Sequence, residues 1–246
     1  MSDSSVNLNG VTVENSFGNG ISVNDASTLN LAGFGAGPGG ENPGPTPNFV
    51  QNNCGTGIGV SYGSTASLNL GNTVQGNGGQ GLNVGGSASL NASADSTGQI
   101  LIQNNQRQGV AAGTPGNVSF GGQVIIQNNS TLSDPSAFPA GVIAFGGSIG
   151  VNSSGLQILN NGGSGILALL QGRGRLGSAP AGADITISGN TGEGLRLTQM
   201  SMGWSFAGST ISGNTGANAT CDATSYLFGD VTGIAGNNCK NTDKKK

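Results

Sequence analysis

A short phrase recurs eight times along these 246 residues: an aliphatic residue, Asn three positions later, then Gly and another aliphatic a few positions on. The aliphatic anchors are Val13, Val50, Val74, Ile102, Ile126, Ile158, Ile187 and Ile211. Three residues after the last seven stand Asn53, Asn77, Asn105, Asn129, Asn161, Asn190 and Asn214, and Ser16 holds that place in the first copy. The intervals 50 to 74, 102 to 126 and 187 to 211 are each 24 residues. Such a period belongs to solenoids, in which each repeat is one turn of a coil. The organisation expected is a single domain over 1–246, with repeats over about 11–215 and a C-terminal capping segment over 216–246.

Within one turn the side chains follow period two, which excludes heptads and amphipathic helices. Triplets such as Ile100-Leu101-Ile102, Val124-Ile125-Ile126 and Ile185-Thr186-Ile187 read as short strands with alternate residues facing inward. Two places past each anchor stand Asn15, Asn52, Gly76, Asn104, Asn128, Asn160, Gly189 and Gly213. Only Asn and Gly occur there, the residues that most readily take left-handed backbone angles, so a sharp corner is expected. The Asn that follows has an amide donor and an acceptor, and stacked coils would join these amides in a buried ladder. Loss of a middle rung such as Asn105 is expected to cost about 1–3 kcal/mol. A second strand follows, as in Ile58-Gly-Val60 and Leu82-Asn-Val84, and then a third, as in Leu29-Asn-Leu31, Leu68-Asn-Leu70, Ile149-Gly-Val151 and Trp204-Ser-Phe206. About eight coils with three parallel sheets around an aliphatic interior result.

Composition limits partners more than it identifies them. With 48 Gly and 8% charged residues the chain resembles a disordered one on a crude count, but low charge and periodic aliphatics argue for order. A net charge of -3 provides no basic field for phosphates, so no nucleic-acid partner is expected. No apolar run approaches the roughly 18 residues of a membrane span, so no membrane insertion is expected. Met1 is followed by polar residues rather than a secretory signal, and the first copy starts near Val11 with no helix to cover the coil's open end. A missing leader or upstream domain is the expectation, with Lys244, Lys245 and Lys246 a local solvated tail. Of the three cysteines, Cys221 and Cys239 flank the last segment and could close an end loop in an oxidising compartment, leaving Cys54 free; unpaired thiols are the alternative.

The Asn ladder at a two-residue corner, with three short strands per turn, resembles the right-handed parallel β-helix of the pectate-lyase-like superfamily over about residues 11–215. The resemblance implies an all-β fold and the right hand of the coil, and the crossover preference of parallel strands favours the same hand. It is weak for activity, because the superfamily includes lyases, hydrolases, epimerases, tailspikes and adhesin-like proteins. Substrates of its enzymes lie along the third sheet, where the outward residues here read as Asn30, Asn69, Asn91, Ser119, Gly150 and Ser205. None can serve as a proton-transfer acid or a calcium carboxylate. The polygalacturonase-like set of clustered Asp with a downstream His is missing, since the chain has no His.

The best charged group is Arg173, Arg175, Glu193 and Arg196 from two consecutive coils. Arg196 is read as outward on the second strand, with Arg173 and Arg175 on the loop after the equivalent strand one coil earlier. They could bind uronate carboxylates by forked hydrogen bonds, and the resemblance implies that an Arg can act as a lyase base. The plainer reading is a solvated set that keeps the surface soluble. Asp184 reads as a turn residue.

No Cys or His spacing suggests a metal, and no cofactor is expected. The outward row Gln51, Gln75, Gln103 and Gln127 reads as a second amide ladder or a glycan-bonding row. Outward Thr12, Thr73, Thr186 and Thr210 are interrupted by Phe49, Leu101, Ile125 and Gln157, which excludes a regular ice-binding array and suggests a face covered by the 130–139 loop or a partner. Specificity is expected on the excursions Gly33 to Pro47, Ser130 to Pro139 and Gly172 to Ala183, near Phe34, Phe138 and Tyr62.

Three functional readings follow. The leading one is a non-catalytic, secreted or surface-exposed module from a larger bacterial protein, structural or binding extracellular polysaccharide. The second is a polysaccharide lyase or epimerase acting on a uronate-containing glycan through the arginines. The third is a self-assembling scaffold or adhesin fragment forming end-to-end or side-by-side homo-oligomers through exposed strand edges.

Overall fold

The computed structural model describes residues 3–32, 46–94, 98–131, 138–152, 155–176, 185–205, 208–230, 232–234 and 236–239. Phe34, Asp184, Phe206 and the terminal lysines lie outside the described residues, as do 33–45, 132–137 and 177–183 of the three excursions. Among the described residues the chain is an all-β parallel solenoid without helix. An anchor sheet of eight strands runs from Thr12–Glu14 to Ser209–Ser212, a second sheet of eight from Ile21–Val23 to Ala219–Cys221, and a third sheet of nine from Ser5–Leu8 to Tyr226–Gly229. Every neighbour is the equivalent strand of an adjacent coil, so aliphatic anchors meet in register, as in Val50 with Val74, Val74 with Ile102 and Ile102 with Ile126.

Strand alternation explains the core. In Ile100–Gln103 the isoleucines are fully buried while Leu101 and Gln103 face outward and are half-buried. Equivalent inward residues of all three sheets merge into one continuous apolar core from Val23 to Ile234. At the corner after the anchor sheet, Asn15, Asn52, Gly76, Asn104, Asn128, Asn160, Gly189 and Gly213 all take φ between 54° and 68°. The next residue then points inward.

There the asparagines form one column. From Asn53 to Asn190, each Nδ2 donates to Oδ1 of the next rung at 2.8–3.1 Å, ending on Asn214. The same oxygen accepts the preceding rung's backbone N–H at 3.0–3.1 Å. The remaining amide proton of Asn105 goes to the Val74 carbonyl one coil back, at 3.3 Å. Ser16, which has no amide, is still held by donating its backbone N–H to Asn53 Oδ1 at 3.0 Å.

Two features of the frame go beyond the sequence reading. A shorter buried column, Asn48 donating to Asn72 at 2.8 Å, sits where later coils carry Ile100, Val124, Leu156 and Ile185. The second is a set of glycines where the chain enters the second sheet, just before a strand or, for Gly141 and Gly165, at its second residue. A Cβ on Gly109 would lie 2.6 Å from Ile126 Cγ2 and 2.7 Å from Asn129 Nδ2, and Gly57, Gly81, Gly141, Gly165 and Gly194 meet equivalent atoms. Glycine is needed there because the chain passes directly over the amide column. The outward glutamines do form a ladder: Gln75, Gln103 and Gln127 each donate to the preceding Gln at 2.9 Å, and Gln51 donates to Glu14 at 2.7 Å.

At the chain's C-terminal end Cys221 and Cys239 are disulfide-bonded, Cys54 is free and exposed, and Ile234 packs against the last anchor strand. The 130–139 excursion returns to the second sheet, not the anchor sheet. The Phe138 carbonyl accepts from Gln108 Nε2 at 2.9 Å and the Pro139 carbonyl from Ser164 N at 3.0 Å. Accordingly, Phe49, Leu101 and Ile125 are only half-buried, whereas Ala111, Ile143, Leu167 and Leu169 of the second sheet's outer face form a separate buried cluster.

Candidate functional site

The third sheet carries the densest chemistry on its outer face, over the strands Ser148–Val151, Arg173–Leu176, Met202–Ser205 and Tyr226–Gly229. Two outward rows run across these strands in register. One is Gly150, Arg175, Trp204 and Phe228; the other is Ser148, Arg173, Met202 and Tyr226. Neighbours in each row are about 4.8 Å apart, the spacing of sheet strands. Two guanidinium groups therefore lie beside an aromatic platform. The Trp204 and Phe228 rings stack with centroids 5.4 Å apart and planes 22° apart, and Tyr226 stacks on Phe228 at 6.2 Å.

A hollow of about 530 Å³ is lined by Ser148, Ile149, Gly150, Arg173, Arg175 and Trp204. Gly150 helps to open it, because it carries no side chain and the nearest atom to a Cβ there is 3.9 Å away. Arginine contributes a fixed charge and a forked set of donors, and the indole contributes a flat apolar face. The chemistry available is capture of a planar anion next to a stacking surface. Toward the N-terminal end the same rows continue as small polar residues, including Thr65, Ser67, Ser89, Asn91, Asn117 and Ser119, over a shallow hollow of about 470 Å³.

The four residues singled out in the sequence are divided between two faces. Arg173 and Arg175 belong to the third sheet, on a strand and not on a loop. Arg196 faces outward from the second sheet in register with Leu167, and its Nη1 lies 3.8 Å from Glu193 Oε1. Glu193 Oε2 also accepts from Ser164 Oγ at 3.0 Å. Loops were expected to bring the group together; instead the coil turns into the third sheet at Arg173 and carries the two arginines onto another face.

Two expectations for the outward row are corrected as well. Ser67 takes the place beside Asn30, although Asn69 Nδ2, just past the strand, donates to Asn30 Oδ1 at 3.0 Å. Trp204, expected inward, faces outward, and Ser205 is fully buried. The aromatic partners Tyr226 and Phe228 went unrecognised inside the supposed cap, although the alternation Tyr226-Leu227-Phe228, with Leu227 fully buried, carries the strand signal. Among the described residues no group of three or more Cys, Asp or Glu is placed to hold a metal ion.

Fold and face together define a three-sheeted parallel β-solenoid with a basic and aromatic outer surface. No protein-family model, no curated protein sequence and no solved structure matches the chain.

Proposed function

We propose that this chain is a carbohydrate-binding β-helix module of the pectate-lyase-like type, right-handed and acting outside the cell or at its surface, that holds an anionic polysaccharide on its third sheet. The observation that carries this reading is the in-register placement of Arg175 beside Trp204, with Arg173 in the adjoining row. A uronate residue offers a carboxylate to a forked guanidinium donor and a ring face to the indole. The small Ser, Thr and Asn side chains of the earlier coils then hydrogen-bond hydroxyls of following sugar residues without obstructing a linear chain.

A binding role is favoured over lyase or epimerase chemistry because the two outward rows hold no carboxylate, Lys or His that could serve as the acid partner of an arginine base. Isothermal titration with oligogalacturonate tests the reading. Binding is expected, weakened at least tenfold by Arg175→Ala or Trp204→Ala with the melting temperature retained. Unchanged affinity in both variants would remove this face from the proposal, and the appearance of unsaturated uronate would replace binding with lyase activity.

A further inference from the structure

We infer that the hollow on the outer face of the second sheet is a separate carbohydrate site, which takes the pyranose ring of a neutral sugar. Its volume is about 690 Å³, within the range of small-ligand sites. The floor is apolar although it lies on the solvent side of the sheet. Leu167 and Leu169 project outward from Ser164–Leu169 yet are only 5% and 3% exposed. The outward row that holds Leu167 is polar or small in the early coils, at Ser22, Gly59 and Asn83, and turns apolar at Ala111, Ile143 and Leu167, so the leucine floor ends an apolar stretch of three coils. Phe138 forms one wall and keeps 47% of its surface exposed. A pyranose ring has an apolar face that suits such a floor and wall.

The rim supplies the polar half. Arg196 and Glu193 stand on one side as an ion pair, and Asp222 lines the same hollow from the next coil. Glu193 Oε1 faces Arg196 at a loose 3.8 Å and Oε2 takes one hydrogen bond, from Ser164. Acceptor capacity therefore remains for sugar hydroxyls, with Arg196 donating to a hydroxyl oxygen. Two carboxylates against one guanidinium leave the rim at a net -1, which disfavours a uronate. The third-sheet hollow, with two guanidiniums, has the opposite sign. One coil thus presents two surfaces of opposite charge on different sheets, suited to different sugars.

The test uses the full chain and ligand-observed saturation-transfer NMR with cellohexaose, mannohexaose and galactohexaose, alongside oligogalacturonate. At least one neutral hexaose is expected to receive saturation. Its affinity is expected to fall tenfold or more in Arg196→Ala, and likewise in Thr198→Trp, which fills the hollow from the rim, while Trp204→Ala leaves it unchanged. Glu193→Gln, which keeps the side chain's shape, is expected to weaken binding severalfold and guards against a folding defect in the tryptophan variant. Absence of saturation transfer from all three neutral hexaoses would overturn the assignment. So would neutral-sugar binding unaffected by both Arg196→Ala and Glu193→Gln. Oligogalacturonate binding retained in Arg196→Ala separates this site from the third-sheet one, so either can fail alone.

Discussion

Replacing Asn105 with alanine removes the middle of a column in which every polar atom is committed. Asn105 is fully buried. Its Oδ1 accepts from Asn77 N at 3.1 Å and from Asn77 Nδ2 at 2.9 Å. Its Nδ2 donates to Asn129 Oδ1 at 2.9 Å and to the Val74 carbonyl at 3.3 Å. In Asn105→Ala, Asn129 Oδ1 keeps the backbone N–H of residue 105, so that acceptor is not orphaned. Two donors on Asn77 lose their acceptor. At about 1–3 kcal/mol for each buried donor left unmade, the loss comes to about 2–6 kcal/mol, twice the sequence expectation because two donors share the one acceptor, and a large share of the roughly 5–15 kcal/mol typical of a domain. Gln103→Ala is the control, because its ladder is half-exposed and water can replace the lost amide, holding the effect to about 1 kcal/mol. Urea unfolding monitored by circular dichroism, with hydrogen exchange at the Asn77 amide, measures both. An Asn105→Ala protein no less stable than Gln103→Ala would refute the column as an energetic element of the fold.

Further outcomes are specific to single positions. Gly109→Ala should destabilise by about 1–3 kcal/mol, because its Cβ would press on Ile126 and Asn129, whereas Gly85→Ala, whose Cβ meets nothing within 4 Å, should be near neutral in the same thermal melts. Reduction of Cys221–Cys239 frees the segment that covers the last coil; limited proteolysis should then cut beyond Gly229 while the earlier coils stay intact, and equal resistance with and without reductant would show that the bond does not hold the cap. Asp222 is held down to about 2, chiefly by the Gln199 backbone N–H donated at 2.6 Å. A depressed carboxylate stabilises the fold above its unfolded value near 3.8 and loses that contribution as pH falls through about 2. Acid titration of Asp222→Asn should therefore show a shallower loss of stability between about pH 4 and 2 than the unsubstituted chain.

The frame was legible in the sequence because its signals are redundant. Each coil repeats an aliphatic, an Asn or Gly at positive φ and, in every copy after the first, an inward Asn, so one ambiguous copy does not obscure the register. The candidate site was harder to read for a physical reason. On Arg173–Leu176 and Met202–Ser205 the inward positions include Gly174, Gly203 and Ser205, so the usual apolar alternation is missing where the functional side chains stand. Leu197 and Leu227 reach under Gly203, with Cδ1 atoms 3.0 and 3.2 Å from a Cβ placed there, and occupy space that a larger residue would take. With no inward aliphatic on Met202–Ser205 to set the phase, Trp204 itself reads as the core residue, and a one-residue slip exchanges the two faces of a strand. Arg173-Gly174-Arg175 likewise carries no strand signal, so its sequence reads as a loop.

The placement of Arg175 beside Trp204, and away from Arg196, can be measured directly by engineered cross-linking in a Cys54→Ser background. Neighbouring strands bring paired residues within disulfide reach, as the 4.8 Å Cα separation of Cys221 and Cys239 illustrates. Arg175→Cys combined with Trp204→Cys should form an intramolecular bond under mild oxidation, detected by mass spectrometry. Arg175→Cys combined with Arg196→Cys should not. Efficient bonding of the second pair and none of the first would contradict the coil register on which the proposed sugar-binding face is built.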